Sequence, residues 1–170
     1  MDLKIAEERS VSPASQAETE EQDGNILKGM RFLCAEDNEL NAEILMELLK
    51  IEGAECTICE NGQRVLETFE QSVPGDYDMI LMDVQMPVMN GYEATKAIRR
   101  SSHELAKTIP IIAMTANAFS EDIQYSLAAG MNAHISKPVD MKTLEKTIRS
   151  IKSGGGGGYR NAGHCSVTIK

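Results

Sequence analysis

Two runs in this chain, Met79-Ile80-Leu81-Met82 and Ile111-Ile112-Ala113-Met114, are apolar at every position, and each ends on an oxygen-bearing side chain, Asp83 and Thr115. A strand with one wet face alternates apolar and polar residues. A run without alternation is buried on both faces, as in a parallel sheet covered by helices on each side. This feature confines the chain to a layered α/β arrangement.

Other segments fit the same arrangement. Arg31–Glu36, Ala54–Cys59 and Ala133–Ser136 read as further strands beside Met79–Asp83 and Ile111–Thr115. The stretches between them have helical period. Leu40, Ile44 and Leu48 recur every four residues, as do Phe119, Ile123 and Leu127, while Met141, Leu144, Ile148 and Ile151 follow i, i+3, i+7 spacing. Asn38 and Asp140 suit helix N-caps, and Gly130 suits the left-handed residue that ends a helix. Asn90-Gly91 reads as turn chemistry. Strict alternation with short connections predicts a (βα)5 doubly wound domain.

The flanks differ in composition. Residues 1–27 are polar and acidic, and residues 1–26 hold seven acids against Lys4 and Arg9, a net charge of −5. They read as a flexible linker. The domain is expected over residues 28–152. Residues 153–170 contain five consecutive glycines, which hold neither helix nor strand, and read as a flexible tail.

The 170 residues carry a net charge of −9, which disfavours nucleic acid as a partner, since phosphate backbones need a basic surface. No apolar run approaches the ~20 residues of a membrane span, and the N-terminus has no signal-peptide core. The expectation is a cytoplasmic domain without membrane contact, within a parent protein that could itself be membrane-anchored. Cys56 and Cys59 have CxxC spacing, but on a strand they face opposite ways, and no second Cys/His pair stands nearby to complete a zinc site. Cys34, Cys56, Cys59 and Cys165 read as buried thiols in a reducing compartment.

In an open α/β sheet the carboxyl ends of the strands border one crevice. Glu36 and Asp37 end the first strand, Asp83 the third, Thr115 the fourth and Lys137 the fifth. Each has an ordinary alternative: capping for the acidic pair, a loop acid at Asp83, a strand threonine, a surface lysine. Together they form a different proposition. Three carboxylates in one crevice repel unless a cation neutralises them, and an all-oxygen set suits Mg2+. Asp83 could then attack a phosphoryl group and form an aspartyl phosphate.

AEDN, LMDVQMPVMNGYEA, IIAMTANA and SKPVD, in that order, resemble the signature segments of the receiver domain of two-component response regulators. The likeness spans roughly residues 30–151. It implies a flavodoxin-like five-stranded parallel sheet in the order 2-1-3-4-5 and a Mg2+ cofactor. It also implies self-phosphorylation and self-dephosphorylation chemistry. Asp83 would be the phosphoacceptor, Glu36 and Asp37 the metal-side acids, and the backbone carbonyl of Gln85 a further metal ligand. Lys137 would pair with the phosphoryl group, Thr115 would be the switch hydroxyl, and Lys137-Pro138 would be cis. The donor would be a phosphohistidine on a sensor kinase or a histidine phosphotransfer protein. Family members often carry an aromatic residue three positions before the lysine, where this chain has His134.

The phrases AEDNELN, MPVMNGYEAT and MTANAF most resemble receivers fused to hybrid sensor histidine kinases, with residues 1–27 as the linker. A stand-alone response regulator acting in trans is the near alternative, since no effector domain fits after Lys152. A haloacid-dehalogenase-like phosphatase uses similar residues, but with a DxD nucleophile first and the acidic pair last, the reverse of the order here. A flavin-binding module would need a Ser/Thr/Gly-rich loop after the first strand. Ser102-His103-Glu104-Leu105 echoes the phosphohistidine box of sensor kinases, but it lies between a helix and a strand and lacks the following arginine.

Overall fold

The structure, a computed structural model, describes residues 25–116 and 120–154. Among them five strands alternate with five helices. The strands are β1 (Arg31–Ala35), β2 (Glu55–Cys59), β3 (Met79–Asp83), β4 (Ile111–Thr115) and β5 (Ala133–Ser136). The helices are α1 (Glu39–Ile51), α2 (Gly62–Gln71), α3 (Gly91–Arg100), α4 (Ser120–Ala129) and α5 (Met141–Gly154). The strands form one parallel sheet in the order β2-β1-β3-β4-β5. This is the doubly wound arrangement expected from the unbroken apolar runs, and β3 and β4 are buried along their whole length.

Helices cover both faces. On one, Leu45 and Leu49 of α1 and Leu144 and Ile148 of α5 pack on Phe32, Cys34, Leu81 and Met114. On the other, Val65 and Phe69 of α2 and Ala94 and Ile98 of α3 pack on Leu33, Ile80, Met82 and Ala113. Truncating a fully buried ring such as Phe69 to alanine would cost about 3–5 kcal/mol.

Side-chain caps set where the helices begin. Asn38 and Asn61 accept from the backbone N–H groups of Asn41 and Arg64, and Asp140 accepts from Thr143. Asn90 forms a capping box with Glu93, so Asn90-Gly91 opens α3 rather than making a free turn. Gly130 adopts φ +108° at the end of α4, as its position implied. Arg99 ties α3 to the end of α4, donating to the carbonyls of Gly130 and Ala106 and to Asn132 Oδ1.

Several expectations need correction. In α1 the buried side chains are Ala42, Leu45 and Leu49, whereas Leu40 is 64% exposed and Ile44 48%. This helix carries two apolar stripes, and period alone cannot choose between them. In α4, Leu127 is exposed while Ser126 and Ala129 are buried; Phe119 lies outside the described residues. Strand β1 ends at Ala35 and β2 starts at Glu55, although Glu36 still donates to the Cys59 carbonyl at 3.0 Å. Leu27, assigned to the linker by the composition around it, is buried in the core. The rest of the N-terminal segment and nearly all of the glycine-rich tail lie outside the described residues. No described helix is long and apolar enough to cross a membrane.

Candidate functional site

The parallel sheet brings the C-terminal ends of β1, β3, β4 and β5 to one edge. A cleft of about 190 Å3 opens there, lined by Glu36, Asp37, Asp83, Gln85, Thr115 and Lys137, so the six residues expected to act on a phosphoryl group and its metal all border it. Asn38, Asn41, Val84 and Ala116 line it too. Asn41 was not singled out. Its signal was spacing: it follows the Asn38 cap by three residues, in the first turn of a helix that starts at the crevice.

Glu36 and Asp83 are buried, 4% and 3% exposed, while Asp37 is exposed. Each offers a carboxylate oxygen, and the three oxygens lie within 4.8 Å of one another. Lys137 spans the two buried acids. Its Nζ is 3.1 Å from Asp83 Oδ2 and 3.2 Å from Glu36 Oε1. Asp83 Oδ1 accepts from the Gln85 backbone N–H at 3.3 Å, and Glu36 Oε2 accepts from that of Asn38 at 3.2 Å.

Burial, and then the neighbouring Glu36, push the Asp83 carboxyl up to about 6, against the opposing pull of Lys137 and Gln85. Burial disfavours the Lys137 ammonium, but the two carboxylates outweigh it and hold its pKa above the ordinary value. The crevice therefore keeps a charged lysine beside a carboxylate that ionises only near neutrality. Three hard oxygen donors at this separation fit a small divalent cation such as Mg2+, which needs few protein ligands.

The backbone around Asp83 is tightly constrained. A Cβ on Gly91 would overlap the Asp83 carbonyl oxygen and crowd Met82 and Val84, so α3 can start this close only with glycine there. Val88, in the loop from β3 to α3, sits at φ +69°, a region that β-branched residues avoid. The Lys137-Pro138 peptide is cis, as the resemblance implied. His134 is half-buried on β5 and pairs in register with Ala113.

Two sequence echoes separate from the cleft. The His103 ring stacks on Phe69 with centroids 4.2 Å apart. Its Nδ1 accepts from the Leu105 N–H, and its Nε2 contacts Ser72 Oγ at 3.2 Å. It braces a loop. Cys56 packs on one face of the sheet and Cys59 on the other, as strand geometry requires.

Comparison with known proteins gives a consistent result. Residues 32–149 match the family of response regulator receiver domains. The chain is 36% identical over 155 residues to Histidine kinase 1 of Arabidopsis thaliana, covering 74% of this chain and 13% of that protein. It is 35% identical over 119 residues to the sensor protein GacS of Pseudomonas syringae pv. syringae, covering 69% of this chain and 13% of that protein. The chain thus spans about an eighth of the length of these relatives. Among solved structures it is similar to the receiver domain of a Pseudomonas aeruginosa sensor histidine kinase, which holds a magnesium ion in its active-site cleft. That match has TM-score 0.63 and 36% identity over 71% of this chain and 95% of the other. It is also similar to a Saccharomyces cerevisiae receiver, that of Ssk1, solved with the histidine phosphotransfer protein Ypd1. There the TM-score is 0.62, with 30% identity over 72% of this chain and 88% of the other.

Proposed function

The chain belongs to the response regulator receiver family, and from that premise we propose that it takes a phosphoryl group from a phosphohistidine onto Asp83, assisted by Mg2+. The observation that carries this reading is the meeting of Asp83, Lys137 and the acidic pair at one sheet edge. An Asp83 carboxylate oxygen attacks phosphorus, the phosphorus–nitrogen bond of the donor breaks, and the departing imidazole keeps the electron pair and takes a proton. The Gln85 N–H on Oδ1 and Lys137 on Oδ2 orient the Asp83 carboxylate. Lys137, already 3.1 Å from Oδ2, follows the new negative charge onto the phosphoryl oxygens. Thr115 at the end of β4 offers its hydroxyl to another. Glu36, Asp37, Asp83 and the Gln85 carbonyl would hold the Mg2+, which when bound neutralises phosphoryl charge.

Phosphorylation then changes which groups Lys137 and Thr115 engage. Thr115 ends β4 and Lys137 follows β5, just before α4 and α5, so these elements carry the signal between two states. With His134 where an aromatic often stands, the usual threonine–aromatic coupling is altered in this chain.

The donor approaches over a groove of about 310 Å3 that shares Glu36 and Lys137 with the cleft and continues onto Ile44, Leu48, Pro138 and Val139. The exposed stripe of α1 lies alongside it. An apolar strip leading to a buried carboxylate suits a helix bearing a phosphohistidine, and the Ypd1 complex of the yeast relative supports this class of partner. The likeness to histidine kinases supports a place within a hybrid sensor kinase.

The test is phosphorylation with a small acyl phosphate and Mg2+, followed by intact mass. One base-labile phosphoryl adduct, absent in Asp83→Asn, is expected. Rapid multiple turnover of an aryl phosphate with no adduct would overturn the reading in favour of a phosphatase.

A further inference from the structure

The phosphoryl chemistry leaves the cysteines unused, and the pairing of β1 with β2 brings two of them together. Cys56 lies with Cys34 rather than Cys59: the two Sγ atoms, on adjacent strands β2 and β1, are 3.2 Å apart. Their settings are unequal. Cys34 is fully buried on a central strand, whereas Cys56 is half-buried on the edge strand β2. Cys56 is the more exposed of the pair, and Cys34 lies directly behind it.

We propose that Cys34 and Cys56 form an oxidisable dithiol that hydroperoxides convert to a disulfide between β1 and β2. The unequal exposure of the two sulfur-bearing residues assigns Cys56 as the attacking thiolate and Cys34 as the resolving thiol. The Cys56 sulfur attacks one peroxide oxygen, and the oxygen–oxygen bond breaks. The sulfur is oxidised to a sulfenic acid, the peroxide is reduced, and the leaving hydroxide or alkoxide takes a proton to become water or an alcohol. Cys34 then attacks the Cys56 sulfur, the sulfur–oxygen bond breaks, and hydroxide leaves as water with the Cys34 proton. Closure moves the sulfurs from 3.2 Å to bonding distance, about 2.05 Å. Cys34 stands on β1 two residues before Glu36, so the linkage forms directly behind the acidic pair. The pairing does not depend on the phosphoryl reading.

Brief exposure of the full chain to hydrogen peroxide, alkylation in denaturant and peptide mapping test it. The expected result is a cross-linked pair of peptides carrying Cys34 and Cys56, lighter by two hydrogens than its reduced parts and reversed by dithiothreitol, with Cys59 still alkylated. Cys34→Ala should instead drive Cys56 on to its sulfinic acid. Full alkylation of both thiols at peroxide doses that oxidise glutathione would overturn the proposal and leave two inert core thiols. A linkage to Cys59 or Cys165 would also overturn it, as would a sulfinic Cys56 beside a free Cys34 in the unsubstituted chain.

Discussion

The Lys137 ammonium stands 3.1 Å from Asp83 Oδ2 although the two residues are 54 positions apart in the chain. It offsets part of the charge that burial and Glu36 oppose. Replacing Lys137 with alanine removes a cation aimed at the reacting oxygen. Phosphorylation of Asp83 by an acyl phosphate should slow on the order of a hundredfold, as read from the growth of the mass adduct. An unchanged rate would remove Lys137 from the proposed chemistry.

The raised Asp83 pKa makes the stability of the metal-free protein depend on pH. In the metal-free protein the folded value, about 6, exceeds the unfolded value of about 4. This group's contribution to stability is therefore fully present below about pH 4 and lost as pH rises through about 6. Chemical denaturation of the metal-free protein should show that loss, and Asp83→Asn should abolish its share. Apparent Mg2+ affinity should run the other way, falling as the pH drops through about 6 because the ion competes with a proton.

Asp37 is the exposed member of the carboxylate cluster, so its removal should spare the core and weaken the metal site. Asp37→Ala should lower Mg2+ affinity about tenfold or more, with little change in thermal midpoint. Titration calorimetry at neutral pH checks this, and equal affinity would refute the ligand assignment.

Gly91 and Val88, three residues apart where the β3–α3 loop meets α3, predict opposite effects. Gly91→Ala forces a methyl against the Asp83 carbonyl and should destabilise the fold by about 1–3 kcal/mol. It should also impair phosphorylation, because the strand end that carries Asp83 must move. Val88→Gly relieves a left-handed conformation at an exposed site and should stabilise by up to about 1 kcal/mol. Urea titrations of the two variants test both signs.

Much of this fold was legible because β3 and β4 are buried on both faces, and complete burial leaves an unbroken apolar run. The cleft was legible for a related reason, since a charged or hydroxyl residue at the end of such a run marks the sheet edge. Helix α1 was harder. Leu40, Ile44 and Leu48 repeat as regularly as Ala42, Leu45 and Leu49, and only the position of the sheet decides which stripe turns inward. The Cys34–Cys56 contact was hidden because it depends on strand register, which spacing within one strand does not encode. Leu27 was obscured by the acidic composition around it.

The site draws single residues or pairs from β1, β3, β4 and β5, which are consecutive in the sheet. A slip of one residue in any pairing would shift its group by about 3.3 Å and turn it to the opposite face. A chain with one strand misregistered would lack a complete cleft, so the site exists only when all four strands are correctly paired.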